Sequence, residues 1–215
     1  MGLMTGDEKH STAATSTLDA LWVLYDRVLR VSPGTAGDPG RDRFLLSKGH
    51  GPMAYYAVLA EKGFVDEDLL TGFGGYASPL GHHPDRTLVP GVEIGSGSLG
   101  HGLPLAVGTV LGLRAQGLTD PQVWVLIGDA ELDEGSNHEA LAYAGPAGLE
   151  QLHTLVIDNS SATYGWPGGI ASRFEAAGWS AETVDGRDHE ALYAAFTAPH
   201  PGRPRAVVAR VEPKQ

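Results

Sequence analysis

Apolar residues recur at helical spacing over residues 18–31 (LDALWVLYDRVLRV) and stop at Ser32-Pro33, which predicts a helix with one face turned to a core. Residues 32–43 are rich in Gly and Pro and read as a loop. Residues 51–62 and the short stretch 66–70 are further helix candidates, and 72–90 is again dense in Gly and Pro. Residues 99–116 are apolar on most sides, as a buried helix would be. The pattern then changes. Residues 123–127 (VWVLI) form a short β-rich apolar run between Pro121 and Gly128, which predicts a strand covered on both faces. A helical stretch, 134–147, separates it from a second such run, 153–157 (HTLVI). Strand, helix, strand at these lengths is a βαβ unit with a right-handed crossover. Residues 179–184 and 206–211 are further strand candidates on either side of a helix at 188–197. The predicted class is α/β, with a central, mostly parallel sheet flanked by helices on both faces. Residues 1–17, small, polar and rich in Ser and Thr, read as a disordered lead-in, which leaves 18–215 as one domain.

Composition narrows what such a domain can do. Of its 215 residues 42% are hydrophobic, enough for one large domain with a full core. A formal net charge of -11, with no run of Lys or Arg, argues against nucleic acid or an anionic membrane as partner. An anionic cofactor stays open, because a metal ion can bring positive charge locally. With no cysteine, disulfides, zinc–thiolate sites and a thiol nucleophile are excluded. The first residues lack the apolar core of a signal peptide, and no apolar run is long enough to span a bilayer. A cytoplasmic enzyme or binding domain is therefore expected.

The candidate chemistry concentrates where the two clearest strands end. The first runs into Gly128-Asp129-Ala130-Glu131-Leu132-Asp133-Glu134-Gly135, the second into Asp158-Asn159. Asp129 and Asn159 are 159 − 129 = 30 positions apart, one βαβ repeat. They are expected side by side on the carboxyl rim of the sheet, where open parallel sheets bind ligands. A carboxylate and an amide carbonyl suit a hard cation such as magnesium. That ion shares phosphate oxygens rather than taking an all-protein cage, so a diphosphate is the natural third party. Gly128 lets the backbone approach it closely. Each pair alone is also an ordinary turn or cap; the spacing and the paired strand ends favour a site.

GDAELDEGSNHEALAYAG followed by LVIDNSSA resembles the thiamine-diphosphate motif of the transketolase family, which begins Gly-Asp-Gly and closes on an Asn after the next strand. On that match Asp129, Asn159 and the backbone carbonyl of Ser161 would hold magnesium. The N–H of Ala130, beside Gly128, would meet the diphosphate. Glu134 followed by Gly135 is the transketolase form of the motif. RDRFLLSKGHG at 41–51 is similar to another family segment and puts His50 near the diphosphate. GHHPD at 81–85 resembles the segment whose His reaches the substrate; His83, before Pro84, is the match, and His82 is an extra. PGVEIGSGSLGHG at 90–102 resembles the run in which Gly97, Ser98 and Leu99 meet the aminopyrimidine ring, Gly97 and Leu99 through backbone. DGRD at 185–188 resembles a late turn of the same domain, and the resemblance covers residues 18–211.

The resemblance implies the thiamine-diphosphate-binding fold, thiamine diphosphate and magnesium as cofactors, and transfer of a two-carbon ketol unit from a ketose to an aldose. His50, His83 and Glu134 are its expected catalytic residues. The histidines would supply hydrogen bonds and proton transfer, and Glu134 would face the activating Glu of a pyrimidine-binding domain. That domain and the carboxy-terminal domain are missing. A second chain carrying both is implied, with a two-plus-two heterotetramer as the simplest closed arrangement and sugars or sugar phosphates as substrates.

Four departures stand out. The family's first helix and its Ser-Gly-His-Pro-Gly turn have no counterpart, Ala130 replaces Gly, residues 160–169 (with TYGWPGG) are short, and the chain stops before the family's Lys-Gly-x-Gly region. Two other readings remain open from the residues. One is a component of a thiamine-dependent 2-oxo acid decarboxylase or dehydrogenase, against which Glu134 and RDRFLLSKGH weigh. The other is a non-catalytic cofactor-binding module, for which Ala130 and the missing turn speak. His10, His153, His189 and His200 have no motif around them, and the role of His101 is open. Trp22, Trp124, Trp166 and Trp179 are expected in the core or an interface.

Overall fold

Strands that send apolar side chains to both sides need cover on both faces, and β1, β2, β3 and β5 of the sheet are buried along nearly their whole length. In the computed structural model, which describes residues 1–4 and 14–213, five parallel strands stand in the order β1-β2-β3-β5-β4. They are β1 Arg43–Leu46, β2 Val123–Gly128, β3 Leu152–Asp158, β4 Ser180–Asp185 and β5 Arg205–Arg210. Successive side chains point to opposite faces. Phe44, Trp124, Leu126, Leu155, Ile157 and Val207 join one apolar cluster, while Leu45, Val125, Ile127, Val156 and Val208 join another. Helices α1 Leu18–Arg27, α2 Met53–Glu61 and α6 His189–Thr197 cover the first face. Helices α3 Gly102–Ala115, α4 Gly135–Ala144 and α5 Gly169–Ala176 cover the second. The edge strand β4 is different: Ser180, Glu182, Thr183 and Asp185 give it a polar, half-exposed character. Among the described residues no helix is long and apolar enough to cross a membrane.

The βαβ unit β2–α4–β3 and the α/β class are as the pattern predicts; several boundaries and two elements are not. The helix expected over 18–31 ends at Arg27 because Asp42, 2% exposed, draws the next turn to itself. The Asp42 carboxylate accepts the Arg30 N–H at 2.9 Å and its guanidinium at 2.8 Å. The helix expected from residue 99 begins at Gly102, since Gly97 and Gly100 have φ of 128° and 86°. It is not wholly buried either, for Leu105 is 49% exposed. Residues 67–72 form a 3-10 turn rather than the helix expected at 66–70. Strand β1 and helix α5 were not predicted. Of the lead-in expected to be disordered over 1–17, residues 5–13 lie outside the described residues. Met4 and Ala14, on either side, pack into the first cluster, so order reaches closer to the amino terminus than composition suggests.

Candidate functional site

Three segments are pressed together at the carboxyl ends of β1 and β2. The loop leaving β1 lies on the loop before α3: an ideal Cβ on Gly49 would stand 2.6 Å from Ser96 Oγ and 2.8 Å from the Gly97 nitrogen, so only glycine fits. Gly102 donates its N–H to Ser47 Oγ at 2.9 Å, closing the same contact from the other side. Gly100, at φ 86°, is left-handed and meets the start of α4, where Ser136 Oγ donates to its carbonyl at 2.6 Å. The His83 ring lies against Gly97, where an ideal Cβ would be 2.8 Å from His83 Cδ2. His82 turns away and meets Phe73 edge-on, ring centres 5.4 Å apart. His50 follows Gly49 in the first of these loops and is half-buried.

The metal motif forms the next part of the rim. Strand register pairs Gly128 with Ile157, and Asp129 continues the ladder, its N–H on the Ile157 carbonyl at 3.0 Å. The Asp129 carboxylate is buried and takes the N–H of Ser161 at 2.7 Å, the N–H of Ala162 at 3.1 Å and the Ser161 hydroxyl. It also takes the N–H of Ala130 at 2.9 Å, so that amide faces Asp129 itself. Ala130 has φ of -67°, ordinary right-handed backbone, so its methyl group is accommodated where the family pattern has glycine. Asn159, the residue after β3, is also buried, and its Oδ1 has no hydrogen-bond partner. A buried amide oxygen without a donor is costly unless something else satisfies it.

A cation fits that need. One carboxylate, one amide oxygen and a backbone carbonyl at Ser161 are hard oxygen donors of the kind magnesium takes, with the Asp129 carboxylate here turned to four donors of the chain. Among the described residues no group of three or more His, Cys, Asp or Glu side chains could hold a metal. A site built on a single carboxylate lies outside that pattern.

Glu131, two residues on, went unnoticed in the sequence. It is 2% exposed. Its carboxylate accepts the Ser47 hydroxyl, the Gly100 N–H at 3.0 Å and the Gly128 N–H at 3.2 Å. Burial pushes its pKa up, while those hydrogen bonds and the Lys48 charge pull the other way. An acidic residue between Ala130 and Leu132 reads as solvent-facing, and no spacing in the sequence signals otherwise.

The rim is open on one side, where His83, Ser98, Leu99, Ala130 and Glu134 are exposed. Glu134 is extended and stands just before α4, against Gly100. Behind the motif, buried Arg173 pairs with Asp133 at 3.0 Å and lies under Trp166, 4.7 Å from its ring centre. A cleft of about 600 Å³ opens beside them between α4 and α5, lined by His138, Leu141, Trp166 and Arg173, and away from Asp129 and Asn159.

Three further histidines are tied into the fold. His189 pairs with Asp19 at 2.8 Å, His200 meets the Arg203 carbonyl at 2.7 Å, and His153 stacks on Trp124. His10 lies outside the described residues. Trp124 and Trp179 are core residues, whereas Trp166 is 45% exposed.

The family model for the transketolase thiamine diphosphate binding domain matches residues 4–211, a start ahead of the resemblance read from motifs. A protein named Ferredoxin fas2, from Rhodococcoides fascians, is 58% identical over 97% of this chain and 68% of its own length. That name carries no reading here, since this chain has no cysteine to hold an iron–sulfur cluster. One of the subunits of an apulose-4-phosphate transketolase, from Actinobacillus succinogenes, is 36% identical over 93% of this chain and 75% of its own length. The solved transketolase of Leishmania mexicana superposes with a TM-score of 0.75 at 28% identity over 92% of this chain, which spans only 35% of that protein.

Proposed function

The chain belongs to the transketolase family, as its thiamine diphosphate binding domain, and on that premise we propose that it is the cofactor-binding subunit of a split transketolase. It holds thiamine diphosphate and magnesium on the β2–β3 rim. With a second chain carrying the pyrimidine-binding and carboxy-terminal domains, it moves a two-carbon ketol unit from a ketose to an aldose. The observation that carries the reading is the buried, unpartnered Oδ1 of Asn159 at the end of β3, the strand paired with the one that leads into buried Asp129.

Thiamine diphosphate, when bound, supplies the electron sink that lets a carbon–carbon bond beside a carbonyl break and re-form. This chain's residues bind and orient. Asp129, Asn159 and the Ser161 carbonyl would hold the metal, and the Ala130 amide, which donates to Asp129 in the free chain, would turn to the diphosphate. His50 hydrogen-bonds the same group. The backbone of Gly97 and Leu99, with Ser98 between them, orients the aminopyrimidine. His83 moves protons at the sugar hydroxyls. Glu134 faces the second chain, whose own carboxyl, brought close, would share a proton with it because two like charges disfavour joint ionisation.

Two facts support a two-chain enzyme. The Actinobacillus relative is named as one of the subunits of its transketolase, and the rim is exposed on the side of Glu134. A two-plus-two assembly is the simplest closed, two-fold arrangement.

The test is ketol transfer measured with the chain alone and after adding a chain that carries the pyrimidine-binding and carboxy-terminal domains. No turnover alone, restored turnover on mixing, and a loss in Glu134→Gln larger than any loss of folding are expected. Robust turnover by the single chain would overturn the reading.

A further inference from the structure

A carboxylate withdrawn from water must be matched by donors, and the donors that match Glu131 come from three separate places. Oε1 accepts from the Ser47 hydroxyl and the Gly100 N–H, and Oε2 from the Gly128 N–H. Ser47 in turn accepts the Gly102 N–H, and the Glu131 carbonyl takes Asn137 Nδ2 at 2.7 Å, which ties the group to α4. Buried Lys48 adds the opposite charge nearby. Each donor adjoins residues of the proposed cofactor site. Ser47 precedes His50 by three positions, Gly100 follows Gly97, Ser98 and Leu99, and Gly128 precedes Asp129.

We infer that Glu131 is a positioning residue that fixes the distance between the diphosphate end and the aminopyrimidine end of the cofactor cradle. The inference rests on the cofactor site proposed above. Its chemistry is specific to a carboxylate: both oxygens accept, and every neighbour donates. Glutamine keeps the shape but only one acceptor, so its NH2 group must face either the Gly128 N–H or the Ser47 and Gly100 donors. One arm of the junction opens while the packing stays.

Calorimetric titration of the full chain with thiamine diphosphate in excess magnesium tests this, using wild type, Glu131→Gln, Ser47→Ala and the double variant, with cofactor-free melting temperatures read alongside. Glu131→Gln is expected to weaken binding by about 10-fold or more, the scale of a hydrogen bond to a charged group, with a melting shift of no more than about 5 °C. Ser47→Ala weakens it less. The double variant loses less than the sum of the two single losses, because both changes act on the same junction, a coupling that general loosening of the fold would not produce. Unchanged affinity in Glu131→Gln, or fully additive losses in the double variant, overturns the proposal and leaves the cofactor site standing. If Glu131→Gln does not fold, Ser47→Ala decides: weaker binding at an unchanged melting temperature supports the proposal, and wild-type affinity overturns it. A wild-type chain that binds no cofactor even when mixed with the second chain removes the site and the inference with it.

Discussion

Both ends of the parallel sheet bury a polar atom that has no hydrogen-bond partner, and the two atoms mean opposite things. At the amino end one such atom is Nδ1 of His153; at the carboxyl end one is Oδ1 of Asn159. The His153 ring lies flat on Trp124 with centres 4.1 Å apart, meets His200 edge-on at 4.9 Å, and uses Nε2 on Gln122 at 2.9 Å. Its company is aromatic and cationic. Burial first, then the charges of His200 and Arg205, hold its pKa well below the ordinary value of 6.5. Asn159 follows β3 on the carboxyl rim, the rim onto which β2 delivers the Asp129 carboxylate. On the proposed reading, a cation is repelled at the first place and welcome at the second. An orphaned polar atom thus marks a ligand site only when the charges around it have the sign to complete it.

The comparison breaks most sharply if Asn159 serves only the fold. Asn159→Leu and Asp129→Asn are each expected to abolish magnesium-dependent binding of thiamine diphosphate, by about 100-fold or more on removal of a hard oxygen ligand or its charge, while the domain melts cooperatively as before. Replacing His153 at the other end should leave that affinity unchanged. Equal losses from both ends, or none from Asp129 and Asn159, would erase the distinction.

Next in size are the rim histidines. In the reconstituted enzyme His83→Ala should lower kcat by about 10²-fold, the usual scale for a positioned acid–base group, with little change in cofactor affinity. His50→Ala should weaken cofactor binding instead. The reverse pattern would exchange their roles, and no effect from either would leave both to the fold.

The smallest effect belongs to the amino end and sharpens the contrast. The folded state keeps His153 neutral, whereas the unfolded chain takes up a proton as pH falls below 6.5. The unfolded state then binds more protons, so stability drops toward acid by up to about 1.4 kcal/mol per pH unit from this one group. Urea unfolding between pH 8 and pH 5 should show that loss, and His153→Phe, which keeps a ring on Trp124, should flatten it. An unchanged acid slope in the variant would show that the imidazole is not its source.

How much of this could be read from the chain follows from how local each feature is. β2, α4, β3 and the Asp129–Asn159 pair rest on apolar runs that end in short polar motifs, and they stood out. β1 is four residues long and owes its existence to pairing with β2, through Ser47 N–H on the Leu126 carbonyl at 2.9 Å, a partner no local pattern reveals. α5 has eight residues and starts after a left-handed Gly168, so it lacked both length and a polar cap. Glu131 is the extreme case, because its Ser47 partner lies 84 positions away. Where a residue's meaning depends on distant donors, only the folded chain supplies it.

A rim left open on one side also raises the question of what keeps such chains apart in a crowded solution, and β4 bears on that. Its free edge carries Glu182 and Asp185, and Arg205 of the neighbouring strand reaches out to Glu182. Charged, half-exposed edges are poor templates for another strand. Growth of the sheet from molecule to molecule is thereby discouraged, and the loops above the strands are left as the route to selective pairing.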